Sequence, residues 1–375
     1  MMKFRDLFAD KPVNTGRQNA LDLSKAFPIL CLPFVHTFIE CTTDAGLGHG
    51  IPYLFDSIIG GPFSAPMWMF AMGIGILYTR HNATRDMIKR GLTIIGFFFL
   101  LNTCRFLIPY LIGYGITGDR GQFIEPLLYR FFGNDILFFA GFALIVIALM
   151  RHAKIPMWGM FTIALAMSVI STVIGDFDVH NPLGNIFLGY IVGTEDAAGL
   201  VISDFPLMRW LIIPMSGYVF GSFLIRAKEE KRFYALVAPI PALIAAIYLP
   251  IGIRNEWGMF GPGQNCYYHM STFDVFISVC LTIGMLGLWY VISLHLPNRI
   301  TRFMCGISRS ITPFYCIHWI FVRWITNLIL YVVRGTQILP VGVTFLLALA
   351  IMIVTIPLCR WWHHFKEKRQ RLVSL

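Results

Sequence analysis

Apolar blocks of about 20 residues, separated by short polar stretches, recur along the whole chain, and no other feature narrows its folding options as far. A helix rising ~1.5 Å per residue needs about that length to cross a ~30 Å hydrocarbon layer. The blocks fall at residues 21–40, 64–79, 91–112, 132–150, 156–175, 205–225, 233–253, 273–294, 310–333 and 338–359. They predict an all-α, polytopic membrane protein of about ten transmembrane helices. Composition points the same way: 57% of the residues are hydrophobic and 13% charged, against roughly 25% charged in soluble domains. A soluble fold could not hide that much apolar surface.

Charge sets the expected orientation. Alternate loops carry Lys3, Arg5, Lys11 and Arg17; Arg80, Arg85, Lys89 and Arg90; Arg151 and Lys154; Arg226, Lys228, Lys231 and Arg232; Arg299, Arg302 and Arg309; and a tail with Arg360, Lys366, Lys368, Arg369 and Arg371. By the positive-inside rule these face the cytoplasm, so both termini are expected there. The opposite loops are acidic, with Glu40, Asp44, Asp56, Asp119, Glu125, Asp176, Asp178, Glu195, Asp196, Asp204 and Glu256. The longest of them, residues 176–204, contains NPLGNIFLGYIVG, too short to span and read as an interfacial or re-entrant helix. Residues 1–20 form a polar cytoplasmic segment without the features of a cleaved signal peptide, and residues 360–375 form a basic tail. With no internal repeat or soluble domain, the sequence reads as one transmembrane domain over 1–375, multi-pass in the cell membrane.

The formal charge of +10 does not point to nucleic acid, because the basic residues sit between apolar blocks and build no continuous face. The eight cysteines show no CxxC or Cys/His ligand spacing, so no metal site is expected. Cys41 and Cys266 fall in loops on the same side, which leaves a disulfide between them open.

Ionisable groups inside apolar segments are costly unless they face protein or water, so each is a candidate for function. In the first block Asp22 and His36 are nearly four helical turns apart, on one face and ~21 Å from each other along the axis. Lys25 can pair with Asp22 at i, i+3 spacing, and a structural salt bridge is an equal reading of that carboxylate. His318, in ITPFYCIHWIFVRW, is a second intramembrane histidine. A neutral imidazole can take the proton of an attacking hydroxyl or amine. Asn102, Arg105 and Arg323 are further polar insertions. Arg105 reads either as a snorkelling interfacial residue or as a guanidinium that holds an anionic or carbonyl group. Arg85, Lys89 and Arg90 sit where phosphates arriving from the cytosol would dock, or serve as a topology signal. His49, in GLGHGIPYLF, lies in the first exterior loop.

The run RQNALDLSKAFPILCLPFVH resembles the opening of membrane acyltransferases, in which a basic and acidic turn precedes an apolar helix ending in His. PMWMFAMGIGILYTR, KRGLTIIGFFFLLN, NDILFFAGFALIV, DFPLMRWLIIPMSGYVFG and ISRSITPFYCIHWIF follow in the family's order. The succession is most similar to the heparan-α-glucosaminide N-acetyltransferase family, with the acyltransferase-3 family as cousin. The resemblance implies acetyl-CoA or another acyl-CoA as donor, bound from the cytoplasm, and a sugar or glycan acceptor approached from the other side. It implies a key histidine, which maps to His36 by the acyltransferase-3 pattern and loosely to His49 by the heparan pattern. His36 fits better, since no Trp follows His49. Phe138 stands where the fourth-helix pattern often carries His.

The sites expected on these grounds are catalytic His36, His318, Asp22 and His49, and donor-binding Arg85, Lys89, Arg90, Arg105 and Asn102, without a metal. Membrane lipids are expected partners, and a homodimer stays open. The rival reading is a secondary transporter or proton-coupled permease that uses the intramembrane Asp, His and Arg side chains.

Overall fold

The computed structural model describes residues 7–195, 203–261 and 264–373. Lys3, Arg5 and Asp196 of the charge pattern lie outside them. Among the described residues, ten helical runs are long and apolar enough to cross a membrane. They begin with Asn19–Cys41 and Gly50–Tyr78 and end with Ile311–Arg334 and Val341–Lys366.

The principal helices are α1 (Asn19–Cys41), α2 (Ala65–Tyr78), α3 (Thr84–Asn102), α4 (Ile108–Thr117), α5 (Ile136–His152), α6 (Met157–Ile174) and α7 (Pro182–Gly189), then α8 (Ile212–Leu224), α9 (Pro239–Arg254), α10 (Thr272–His295), α11 (Asn298–Arg309), α12 (Ile311–Arg323) and α13 (Val341–Val373). Helix α7 is the short helix expected in the 176–204 segment. Asn181 caps it, its side-chain oxygen accepting from the Gly184 N–H at 2.9 Å.

Two details differ from the reading of hydropathy. Arg85, Lys89 and Arg90 are not in a loop but in the first two turns of α3, because the helix begins at Thr84, before the apolar block. Glu40 is likewise the penultimate residue of α1 rather than a loop acid. Hydropathy marks where a helix becomes apolar, not where its backbone hydrogen bonding starts. All eight cysteines are free thiols, so no disulfide joins Cys41 to Cys266.

The chain contains two compact units, each assembled from separate stretches. The first comprises Met1–Leu21, Ala65–Leu100 and Phe132–Ile292. In it α2 and α8 touch backbone to backbone. A Cβ on Gly73 would lie 1.9 Å from the Pro214 carbonyl oxygen, and one on Gly217 would lie 1.9 Å from that of Phe70. Gly91 of α3 and Gly141 of α5 form a second reciprocal pair: a Cβ on either would come within 2.7 Å of the other's carbonyl oxygen. In lipid, where apolar contact alone gives no preference for helix over solvent, such close approach is what drives association.

The second unit comprises Asp22–Ser64, Leu101–Phe131 and Ser293–Leu375. Phe34 and Phe38 of α1 pack with Ala348 and Phe345 of α13 and with Phe55. Phe106, Tyr110 and Phe123 form another cluster, closed by Tyr331 and Val332. The Leu339 N–H donates to the Cys41 carbonyl at 2.9 Å, which joins the end of α1 to the approach to α13.

Candidate active site

On α1, His36 and Glu40 are one turn apart. On α12, His318 and Trp319 are one turn before Val322 and Arg323. Residues at i and i+4 share a helix face: His36 and Glu40 do so on α1, and Trp319 and Arg323 on α12, with His318 next to Trp319 in the chain. In a first tier of contacts between the two helices, His36 Nδ1 lies 2.8 Å from His318 Nε2. In the second, Arg323 Nη1 donates to Glu40 Oε2 in a buried ion pair. A third contact lies toward the other end of α1, where the Ser308 hydroxyl of α11 donates to Asp22 Oδ1 at 2.6 Å. Lys25 Nζ is 3.2 Å from the same oxygen. Asp22 and His36 thus face the same α11–α12 segment, as their spacing on one helix face requires.

The hydrogen bonds have a direction. His318 Nδ1 is 2.8 Å from the Phe314 carbonyl oxygen, which can only accept, so Nδ1 carries the proton. In a neutral ring Nε2 is then an acceptor. His36 Nδ1 must donate to it, which leaves the lone pair of a neutral His36 on Nε2. His318 is fully buried and His36 only partly. The chain of atoms therefore runs from a buried carbonyl through two imidazoles to an unprotonated ring nitrogen.

Trp319 completes the arrangement. Its ring stacks on His36 with centroids 3.8 Å apart, and the guanidiniums of Arg105 and Arg323 each lie 5.1 Å from its ring centroid, within cation–π range. Among the described residues, two buried donors near the histidines find no hydrogen-bond partner, Trp319 Nε1–H and Arg323 Nε–H. Buried donors are nearly always satisfied, and exceptions ask for a ligand or a functional reason.

Arg105 sits in a π-helical turn, Thr103–Leu107, that follows α3, and a second π-helical turn, Trp324–Leu330, follows Arg323. The wider turn misaligns the backbone ladder, and the Trp324 indole N–H takes up the Cys104 carbonyl at 2.8 Å. Asn102 is committed on both sides: Oδ1 accepts from Arg105 Nε at 2.9 Å, and Nδ2 donates to the Phe131 carbonyl at 2.7 Å.

The acyltransferase domain of the acyltransferase-3 type matches this chain over residues 18–360. The protein belongs to that family of membrane acyltransferases. The match includes α1, α12 and every residue of the paired tiers. No curated protein and no solved structure matches the chain.

Within this acyltransferase the other expected residues fall elsewhere. His49 is exposed at the start of a short helix and makes no side-chain capping bond. Lys89 and Arg90 line a cavity of about 320 Å³ with His81, Asp86 and Thr93. Arg85 is not among its lining residues, and the whole cluster belongs to the other compact unit. Among the described residues no group of three His, Cys, Asp or Glu side chains comes together as a metal site.

The first unit of the acyltransferase holds a polar network that sequence reading missed. Arg209 Nη2 is 2.7 Å from Asp176 Oδ1, and His269 Nδ1 is 2.9 Å from Asp176 Oδ2. His269 Nε2 lies 3.0 Å from Ser203 Oγ and 2.7 Å from the Ser203 carbonyl oxygen, and Arg209 Nη1 donates to the His269 carbonyl. Burial pushes the Asp176 carboxyl up, but His269 and Arg209 outweigh it and hold the group below the usual carboxylate range. The order Ser, His, Asp is that of a nucleophile triad. Here, however, Ser203 Oγ also accepts the Thr194 N–H at 2.9 Å, and Arg209 holds both Asp176 and the His269 carbonyl, which makes the network a clasp on the loops.

Proposed function

We propose that the protein transfers an acyl group, acetyl in the first instance, from acyl-CoA to a hydroxyl or amine of a sugar or glycan acceptor in the cell membrane. The family match supports acyl transfer. The observation that carries the finer reading is the directed pair His318–His36, with a free Nε2 on His36 and two unpartnered buried donors beside it. The resemblance of its sequence motifs to the heparan-α-glucosaminide N-acetyltransferase family, to which the family match does not extend, makes amino sugars the first acceptors to test.

In this reading His36 Nε2 accepts the acceptor's proton as the acceptor oxygen or nitrogen bonds to the acyl carbon. His36 Nδ1–H then holds its bond to His318, and His318 Nδ1–H its bond to the Phe314 carbonyl, so the added charge is shared along the chain. Trp319 Nε1–H and Arg323 Nε–H are the donors available to the carbonyl oxygen as negative charge gathers on it. Arg105, expected from sequence in that role, has its Nε occupied by Asn102 and is better suited to fixing Trp319 through its ring face. When the carbon–sulfur bond breaks, His36 returns the proton to the sulfur, and the thiol leaves. Glu40 balances the charge of Arg323.

The test is thiol release from acetyl-CoA by the detergent-solubilised protein in the presence of amino sugars, neutral sugars and lipid-linked glycans. Acceptor-dependent release supports the reading. Thermal stabilisation by neither coenzyme A nor any acceptor, together with proton-coupled uptake in vesicles, contradicts it and favours the transporter.

A further inference from the structure

Helix α11 is amphipathic, with Cys305, Ile307 and Ser308 buried and Arg299, Ile300 and Arg302 exposed. Arg299 and Arg302 are three residues apart, hence on one face. Arg360 reaches the same place from α13, its guanidinium 5.6 Å from the centroid of the Phe303 ring. Together Arg299, Ile300, Arg302, Phe303 and Arg360 line an open cavity of about 600 Å³, within the ~300–1,000 Å³ range of small-molecule sites.

Among the described residues, those that line this cavity include no carboxylate. The smaller cavity beside Lys89 and Arg90 includes the Asp86 side chain, which would repel a phosphate. Three guanidiniums in one wall form an anion-binding set, since each offers a planar fork that fits phosphate oxygens in pairs. An aromatic ring and an aliphatic side chain in the same wall suit a ligand with a flat apolar part next to its phosphates.

The position along the chain matters as well. Arg299 and Arg302 open α11, Ser308 near its end is tied to Asp22, and α12 follows with His318. The cavity and the paired histidines belong to the same compact unit. The charge bias of the loops puts the expected cytoplasmic face at this end, the side on which a nucleotide thioester is made.

We infer that Arg299, Arg302 and Arg360 form a binding site for clustered phosphate groups, the nucleotide end of the acyl donor. The inference rests on the acyl-CoA reading above and moves the donor's anchor from Arg85, Lys89 and Arg90 to the unit that holds His36. The same phosphate chemistry is offered by an anionic lipid headgroup, so the experiment has two arms.

In the first arm, binding of coenzyme A and of adenosine 3′,5′-diphosphate is measured in neutral detergent for the wild type, for R299Q/R302Q/R360Q and for K89Q/R90Q. In the second, retention of phosphatidylglycerol by the same proteins is measured in nanodiscs. The three arginines are exposed, so the triple variant is expected to unfold at the wild-type temperature. The expected result is a loss of about tenfold or more in affinity for both nucleotides in the triple variant only, with lipid retention unchanged. Unchanged nucleotide binding with reduced lipid retention assigns the site to lipid and overturns the inference. No change in either arm overturns it too, while a wild type that binds coenzyme A leaves the donor reading intact. A wild type that does not bind coenzyme A ends the donor reading and, with it, this assignment.

Discussion

His36 Nδ1 and His318 Nε2 are 2.8 Å apart although 282 positions separate them in the chain. The contact joins the first spanning helix to the ninth, and its proton order follows from the Phe314 carbonyl behind it.

Replacing His318 by Phe removes the acceptor that holds His36 Nδ1–H while keeping a planar ring at that buried position. His36 is then free to take the other tautomer, with its proton on Nε2, where it cannot act as a base. The expected loss in the rate of transfer is about 10²–10⁴-fold, with donor affinity within a few-fold of wild type. Single-turnover kinetics separates the two quantities. Wild-type rates in His318→Phe would remove the relay from the account.

Trp319→Phe keeps the stack on His36 but deletes the Nε1–H donor. Loss of one donor to a developing oxyanion typically costs about 10²–10³ in rate. The check is the rate constant for transfer at saturating donor, alongside thermal unfolding to establish that the fold is intact. A Trp319→Phe protein of normal rate would leave Arg323 Nε–H as the donor to examine.

The Glu40–Arg323 pair is buried on both sides. Removing one member strands the other's charge, at a cost of about 3–5 kcal/mol. Glu40→Gln and Arg323→Met are each expected to unfold at lower temperature, and the double variant to recover much of the loss. Simple additivity of the two single effects would show that the pair contributes nothing as a unit.

The fold was legible in the sequence where one physical signal dominates. The ten apolar blocks correspond to ten helical runs of spanning length among the described residues, because lipid leaves a chain few other ways to satisfy its backbone. Helix starts were less visible, as at Thr84, because capping and polar first turns do not register in hydropathy. The pairing of α1 with α12 was half legible: His36 and His318 stood out as misplaced polar groups, and Asp22 shared a face with His36. Trp319 and Glu40 did not, since a tryptophan looks at home in a membrane and a glutamate at a helix end looks like a loop acid. Their i, i+4 partners, Arg323 and His36, carried the signal. The clasp of Ser203, His269, Asp176 and Arg209 depends on contacts between distant loops, which no local pattern encodes.

Gly217→Ala in α8 puts a methyl group 1.9 Å from the Phe70 carbonyl oxygen, a backbone atom that cannot rotate away. Helices α2 and α8 must separate, at an expected cost of about 1–3 kcal/mol. Thermal unfolding in detergent reads it directly. Gly75→Ala on the same α2, with open space at its Cβ, is the control and should be neutral or slightly stabilising.

The Asp176 carboxyl is held below its ordinary value of 3.8 by His269 and Arg209, against the effect of burial. A depressed folded pKa gives stability that is present above the unfolded value and is lost as pH falls through the folded one. Asp176→Asn is therefore expected to unfold at lower temperature than wild type at neutral pH. The two unfolding temperatures should draw together below pH 3.8. Curves that stay parallel down to acid pH would show that the carboxylate charge is not what the clasp uses.

The most direct test of the central claim compares the transfer of an acetyl group from acetyl-CoA by purified His36→Ala, His49→Ala and wild-type proteins of equal thermal stability. His36→Ala is expected to lose transfer while still binding coenzyme A, and His49→Ala to retain transfer. Full activity in His36→Ala, or its loss in His49→Ala alone, would contradict the claim.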